Sequence, residues 1–306
     1  MSEVDLVDKV LLVTGGGRGI GREIALFAAK EGARVVVNDL GSAPSGSGSD
    51  ASVAEEVVAE IKQAGGTAVA STDSIASETS ARQIIATALD NFGRIDAVIN
   101  NAGMLRDRMF HNMTDEEWTS VMQVHLFGYF YVSRAAAPYF KAQASGSYIH
   151  FTSPAGLIGA VGQTNYAAAK MGVVGMSTGI AFDMAKYNVR SNCIAPSAWS
   201  RLLASVPIRS KEEEERAAMF QKKMGPEKIA PLCAFLASEA AKSVSGQVFK
   251  VRGNEIFLMS QPRPIRSVHR DGGWGMQSLA DIMLPALSPS FFPLTSHLDV
   301  FSWEPI

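Results

Sequence analysis

Cysteine is nearly absent, with only Cys193 and Cys233 in 306 residues. Two thiols cannot staple a secreted scaffold, and they lack the paired spacing of a zinc site, so a reducing, cytoplasmic setting is the simplest reading. Positive charge is not in excess either: 28 Lys and Arg stand against 30 Asp and Glu, a net charge of -2. Without a basic field to displace counterions from a phosphate backbone, nucleic acid is not an expected partner. No uncharged apolar run approaches the roughly 18 residues that read as a membrane span. The opening Met1-Ser2-Glu3-Val4-Asp5 carries acids where a secretion signal carries bases.

What is present is a 47% hydrophobic, 19% charged composition, enough apolar surface for a large folded core. Short β-branched runs at Val10 to Thr14, Arg34 to Asn38, Thr67 to Ser71, Asp96 to Asn100, Tyr148 to Thr152 and Val189 to Ile194 read as strands. A seventh is expected around Gln247 to Val251. Helix-length patterns near 19–31, 51–64, 78–92, 114–142 and 163–187 separate them. Such alternation predicts an α/β fold, a doubly wound parallel sheet of about seven strands with helices on both faces. The Lys211-Glu212-Glu213-Glu214-Glu215-Arg216 run reads as a solvated helix face, and the Gly/Ser-rich stretch from Gly41 to Ser49 as a surface insertion. Residues 1–260 are expected to form one domain holding both cofactor and substrate sites. From Gln261 to 306, prolines mix with Trp274, Phe291, Phe292, Phe301 and Trp303, which predicts an irregular arm packed on its own subunit or a neighbour.

The first strand ends in Thr14-Gly15-Gly16-Gly17-Arg18-Gly19-Ile20-Gly21 and runs directly into a helix. Glycines here allow a tight turn and let the backbone approach a pyrophosphate at the helix N-terminus. The acid expected one strand later is Asp39, after Val35-Val36-Val37-Asn38. A carboxylate there accepts from the ribose hydroxyls of NAD and repels the 2′-phosphate of NADP, which favours NAD. Arg18 argues for NADP, since a guanidinium beside the turn pairs with phosphate.

The glycine turn, Asn100-Asn101-Ala102-Gly103, Ser153 and Tyr166-Ala167-Ala168-Ala169-Lys170 together resemble the short-chain dehydrogenase/reductase pattern over about residues 8–253. The resemblance implies one Rossmann domain, a nicotinamide cofactor, carbonyl/alcohol redox chemistry and a homodimer or homotetramer. Val35 to Gly41, Asn101 to Phe110 and Ile194 to Arg201 look more narrowly like the (3R)-hydroxyacyl-CoA dehydrogenase units of type 2 peroxisomal multifunctional enzymes, also called 17β-hydroxysteroid dehydrogenase type 4, and their bacterial relatives in fatty-acid and steroid degradation. The implied substrate is an acyl-CoA or a steroid-like alcohol.

Hydride transfer from a secondary alcohol needs a base for the hydroxyl proton and a donor for the developing alkoxide. Tyr166 and Lys170 are four apart and share a helix face, where an ammonium favours the phenolate. Ser153, at a strand end, suits the substrate oxygen, and it also suits a helix cap. In the resembled family Lys170 also holds the nicotinamide ribose and feeds a proton relay. His125 stands where many relatives place an asparagine that supports the relay water, and is expected to hold structure or water rather than react directly. The resemblance puts the turn's Gly15, Arg18, Gly19 and Ile20 at the cofactor. It puts Asp73, with Ser74 beside it, at the adenine, and Asn101, Ala102 and Gly103 along the dinucleotide by backbone contact. Asn100 is expected to tie strands together. Pro196 and Ser197 form the loop facing the nicotinamide, where Pro-Gly is commoner. Arg106, Arg108 and Arg201 are open either to CoA phosphates or to solvent. His111, His150, His269 and His297 lack metal spacing, so no metal is expected. The reading is NAD-linked oxidation of a secondary alcohol. Its alternatives are an NADP-dependent 3-oxoacyl-thioester reductase and a dinucleotide-binding redox sensor without turnover.

Overall fold

The computed structural model of the chain describes residues 4–43, 45–46, 48–199 and 210–306, without the side chains of residues 212, 213 and 216. Arg201 therefore lies outside the described residues. β1 (Val10–Thr14), β2 (Arg34–Asn38), β3 (Thr67–Ser71), β4 (Ala97–Asn100), β5 (Gly146–Phe151), β6 (Val189–Ser197), β7 (Val248–Arg252) and β8 (Glu255–Leu258) form one sheet in the order β3-β2-β1-β4-β5-β6-β7-β8. The first seven strands are parallel. β8 is antiparallel to β7 and was not expected. It is a four-residue edge strand reached through Gly253 at φ +61°. Its Ile256 and Leu258 are 59% and 65% exposed, so it carries no inward apolar stripe to mark it.

Parallel strands buried on both faces read as continuous apolar runs, and β1 follows that rule. Its Leu11 and Val13 pack with Ile24 and Ala25 of α1 (Gly19–Lys30) and with Val57 of α2 (Ser52–Gln63). Its Val10 and Leu12 face the other way, toward Ile84 of α3 (Glu78–Phe92) and the layer beyond. That layer holds α4 (Asp115–Met122), a π-helical stretch Gln123–Gly128 and α5 (Tyr129–Gln143), which together occupy the single helix expected over 114–142. α6 (Pro154–Leu157) is one turn, and α7 (Thr164–Met184) is the long helix of this face. α8 (Lys211–Lys223) carries the charged run, with Lys211, Glu214 and Glu215 exposed, and α9 (Ala230–Ala237) joins the α1 side.

Asp96, expected to begin β4, instead sits just before it and joins two strands by its side chain. It is 5% exposed and accepts from the Val10 N–H at 2.9 Å and from Arg94 at 2.9 and 2.7 Å. Asp96→Ala strands a buried amide and a guanidinium, and is expected to cost about 2–3 kcal/mol in urea unfolding with an unchanged m-value.

The end of the arm, residues 297–306, packs on its own chain, while most of residues 262–296 is exposed. Short helical turns at Met276–Ser278, Leu279–Met283 and Leu284–Leu287 lead to a last turn at His297–Val300. Phe301 and Trp303 then cluster with Phe257 of β8, at ring separations of 5.3 and 6.1 Å, and the His297 N–H donates to the Gly159 carbonyl at 3.0 Å.

Candidate active site

The strand order reverses between β1 and β4, and the crevice at such a switch point is where α/β sheets bind ligands. Gly15 lies there at φ +63°, and a Cβ on it would sit 2.7 Å from the Ala102 Cα, so neither its conformation nor its contacts tolerate a side chain. The Asn101 amide donates to the Thr14 and Gly15 carbonyls at 3.0 and 3.1 Å. The Asn101 and Ala102 N–H groups both reach Thr14 Oγ1, at 3.1 and 3.2 Å. The β4 loop thus clips the glycine turn, in part through the Asn101 side chain, a contact the sequence does not mark. Gly19, the first residue of α1, is exposed and faces open space beside the helix's free amides. A pyrophosphate fits this cradle: room, free N–H groups and a helix N-terminus coincide. Ile20 follows in the same turn, half-buried against the α1 side core.

Asp39 is held from both sides, accepting from the Gly17 N–H at 2.9 Å and the Gly41 N–H at 2.8 Å. Its carboxylate is therefore fixed beside the turn. Arg18 reaches the loop that follows Asp39, its Nη1 3.5 Å from the Ser42 carbonyl. Asp73 lies past β3, its carbonyl accepting from Asn38 Nδ2 at 2.9 Å and its carboxylate 3.4 Å from Ser71 Oγ. Ser74 turns the chain by accepting from the Ala76 N–H at 3.2 Å. Asn100 reaches Ser133 Oγ at 2.9 Å and His150 Nδ1 at 3.1 Å, joining β4 to α5 and β5.

At the other end, β5 delivers Ser153 and α7 delivers Tyr166 and Lys170 to one pocket. Ser153 caps α6 by accepting from the Ala155 N–H at 3.1 Å, and its hydroxyl lies close enough to the Tyr166 phenol to favour the phenolate. The cap leaves Ser153 beside Tyr166. Tyr166 is half-buried by its whole surface, but its hydroxyl end is deep. Burial pushes the phenol up to about 12, against the Ser153 hydrogen bond, which pulls it down. Lys170, 2% exposed, donates to the Phe151 carbonyl at 2.7 Å and the Tyr129 hydroxyl at 3.1 Å. Its ammonium is 5.7 Å from the Tyr166 ring centre.

Two positioning residues escaped sequence reasoning. Tyr129, fully buried, accepts from Lys170 and donates to the Ala102 carbonyl at 3.0 Å, so one phenol links α7 to the loop after β4. Within Gly128-Tyr129-Phe130-Tyr131 nothing in the sequence distinguishes it from its aromatic neighbours. Asn165 accepts from the Tyr166 N–H at 2.7 Å and donates to the Arg106 and Glu117 carbonyls at 3.0 and 2.9 Å, fixing the first turn of α7. It reads only as a polar residue near a helix start.

The π-helical stretch turns His125 inward, edge-on to Tyr166 at 5.1 Å between ring centres. Its Nε2 lies 2.7 Å from the Met104 carbonyl and 3.1 Å from the Met104 N–H, while Nδ1 has no protein partner. Burial and the nearby Lys170 charge hold the imidazole well below its usual titration range, so it is neutral. A side chain at Gly103 would run into this ring. Arg108 is exposed, and its guanidinium pairs with Glu117 at 2.9 Å. Arg106 is half-buried. Pro196 and Ser197 close β6, and Ser197 Oγ accepts from Lys250 Nζ at 2.6 Å, a partner not foreseen from the sequence. Among the described residues no three His, Cys, Asp or Glu side chains converge as metal ligands.

Burial also lowers Lys170, from 10.5 to about 7. The unfolded chain then holds more protons than the folded one between these values, so the stability this residue contributes rises as pH climbs from about 7 toward 10. The difference in unfolding free energy, wild type minus Lys170→Met, is expected to increase over that window. A flat difference would mean that the ammonium is solvated.

The chain matches the short chain dehydrogenase family over residues 9–204. It belongs to the short-chain dehydrogenases/reductases. The enzyme is 46% identical over 249 residues to a short-chain type dehydrogenase/reductase of Mycobacterium tuberculosis, covering 81% of this chain and 84% of that one. It is 40% identical to a hydroxyacyl-CoA dehydrogenase of the same organism, covering 88% and 84%. With peroxisomal multifunctional enzyme type 2 of Mus musculus it shares 41% identity across 86% of its own length and 34% of the relative's, so it spans about a third of that protein. A short chain dehydrogenase structure from Mycobacterium avium superposes with a TM-score of 0.82 at 38% identity, covering 96% and 99% of the chains. A 7α-hydroxysteroid dehydrogenase complexed with NADH and 7-oxo glycochenodeoxycholic acid superposes at 0.73 with 33% identity, covering 82% and 95%. The enzyme is thus an oxidoreductase of an NAD(P)-binding family, with hydroxyacyl-CoA dehydrogenases among its relatives. No helix among the described residues is long and apolar enough to cross a membrane.

Proposed function

We propose that this enzyme oxidises a secondary alcohol with NAD, the alcohol being a (3R)-hydroxyacyl-CoA or a steroid-derived one. The observation that carries the reading is the convergence of Ser153, Tyr166 and Lys170, tied through the Tyr129 hydroxyl to Ala102, which packs on the glycine turn. NAD, when bound, supplies the acceptor for the hydride leaving the carbinol carbon. Ser153 holds the substrate oxygen, and Tyr166 accepts the hydroxyl proton as the carbonyl forms. Lys170, in its protonated form below about 7, places a positive charge 5.7 Å from the Tyr166 ring and favours the phenolate that burial resists.

The fixed Asp39 carboxylate supports NAD over NADP, because a 2′-phosphate would meet a like charge. Arg18, which would favour an NADP-dependent 3-oxoacyl-thioester reductase, has its Nη1 3.5 Å from the Ser42 carbonyl, three residues past Asp39, and remains the support for that alternative. The acyl-CoA and steroid classes rest on the relatives: a hydroxyacyl-CoA dehydrogenase and a hydroxysteroid dehydrogenase both align over most of the chain. A redox sensor that binds the dinucleotide without turnover would have no use for the Ser153, Tyr166 and Lys170 group. The test is nicotinamide absorbance with NAD or NADP and a panel of hydroxyacyl-CoA thioesters and hydroxysteroids. Turnover on one class with NAD is the expected result. Turnover only with NADP, or binding without turnover, would replace this reading with one of its alternatives.

A further inference from the structure

Lys250 sits in the middle of a strand and is 1% exposed, an unusual place for an ammonium. Alternation along β7 puts Val248, Lys250 and Arg252 on one face, and Val248 packs there with Val173 of α7 and with Cys193. The same alternation along β6 brings Cys193 and Ser197 to that face, the one covered by the helix that carries Tyr166 and Lys170. Lys250 Nζ donates to Ser197 Oγ at 2.6 Å and stands 4.3 Å from the centre of the Phe301 ring. Among the described residues no carboxylate forms an ion pair with it. The neighbouring Glu255 is taken by Arg252 at 3.0 Å and by the Trp303 indole at 2.8 Å. A buried ammonium without a carboxylate costs free energy that a methionine of similar shape would not, so packing does not explain the residue.

Its two contacts do. Ser197 extends β6 beyond the Phe151–Ile194 pair, at the edge where Ser153 begins α6. Phe301 belongs to the arm and is fixed by Phe257, by Trp303 and by Arg252, which donates to the carbonyls of Phe301 and Trp303. Four residues earlier the same arm bonds Gly159, inside the segment that joins Ser153 to Tyr166.

We propose that Lys250 is a positioning residue that couples the Ser197 segment at the nicotinamide end of the site to the docked C-terminal arm, so that cofactor binding and arm docking reinforce one another. The proposal rests on the reading of the pocket as a dinucleotide site. The lysine acts through Ser197: a charge-assisted hydrogen bond fixes that hydroxyl and its segment, and the aromatic ring of the arm fixes the lysine. Coupling of this kind is reciprocal, so the cofactor must steady the arm as much as the arm steadies the cofactor loop.

The test uses the full chain without substrate, following NADH binding by fluorescence and hydrogen exchange across residues 297–306. Lys250→Met is expected to weaken NADH about tenfold, the scale of one lost charge-assisted hydrogen bond, while Lys250→Arg retains most of the affinity. Ser197→Gly should weaken it similarly, and the double variant should be no worse than either single one. In the wild type NADH should slow exchange across 297–306, and in Lys250→Met it should not. Unchanged NADH affinity in Lys250→Met, additive single effects, or cofactor protection that persists would overturn the proposal. Should Lys250→Met fail to fold, Phe301→Leu takes its place: a several-fold loss of affinity with loss of protection supports the coupling, and wild-type behaviour refutes it. A wild-type chain that does not bind NADH fails separately, by removing the dinucleotide site itself.

Discussion

Replacing Tyr166 with phenylalanine is expected to lower turnover on the order of 10³-fold, the range spanned by a positioned general base, with NADH affinity changed no more than a few-fold. The change removes one oxygen. The ring keeps its edge-on contact with His125, and the Asn165 side chain still holds the first turn of α7 through the backbone. Ser153 keeps a second partner in the Ala155 N–H, so no buried hydroxyl is stranded. Because the proton is taken only as the reaction proceeds, kcat and kcat/KM should fall together. Undiminished turnover would remove Tyr166 from the chemistry. A loss confined to KM would make it a binding residue.

Asp39→Asn is expected to shift the preference for NAD over NADP on the order of 10²-fold toward NADP, combining a lost charge-assisted ribose bond with relief of like-charge repulsion. Asparagine keeps one of the two acceptor oxygens that hold the Gly17 and Gly41 amides, so the loop is less disturbed than by alanine. Direct titration with both reduced cofactors gives the ratio without a substrate. An unchanged ratio would mean that the carboxylate serves the loop alone, and the case for NAD would lose its principal residue.

The parts of this molecule that were legible in the sequence are those where local pattern and global fold agree. Buried parallel strands need apolar residues on both faces, so β1 to β7 announced themselves as β-branched runs. The glycine turn was readable because a strand, a helix and a later acid bracket it. Ser153, Tyr166 and Lys170 were readable as a spaced set on a strand end and one helix face. What stayed hidden depends on contacts made across the fold. β8 shows too little inward apolar surface to mark it. The π-helical stretch that aims His125 at Tyr166 has no residue signal of its own, since Gln123 to Gly128 suits an ordinary helix equally well. Tyr129, Asn165 and Lys250 have meaning only through partners 27, 59 and 53 positions away. The Arg108–Glu117 ion pair, nine positions apart, is likewise a contact that the sequence pattern does not mark.

The central claim is NAD-linked oxidation of a secondary alcohol, and the most direct test is the rise of nicotinamide absorbance when the purified chain meets NAD and (3R)-hydroxyacyl-CoA thioesters or hydroxysteroids. The account predicts turnover with NAD on at least one of these classes, lowered on the order of 10³-fold by Tyr166→Phe. NADH binding confirmed by fluorescence, together with no turnover across the panel in either direction and with either cofactor, would contradict it.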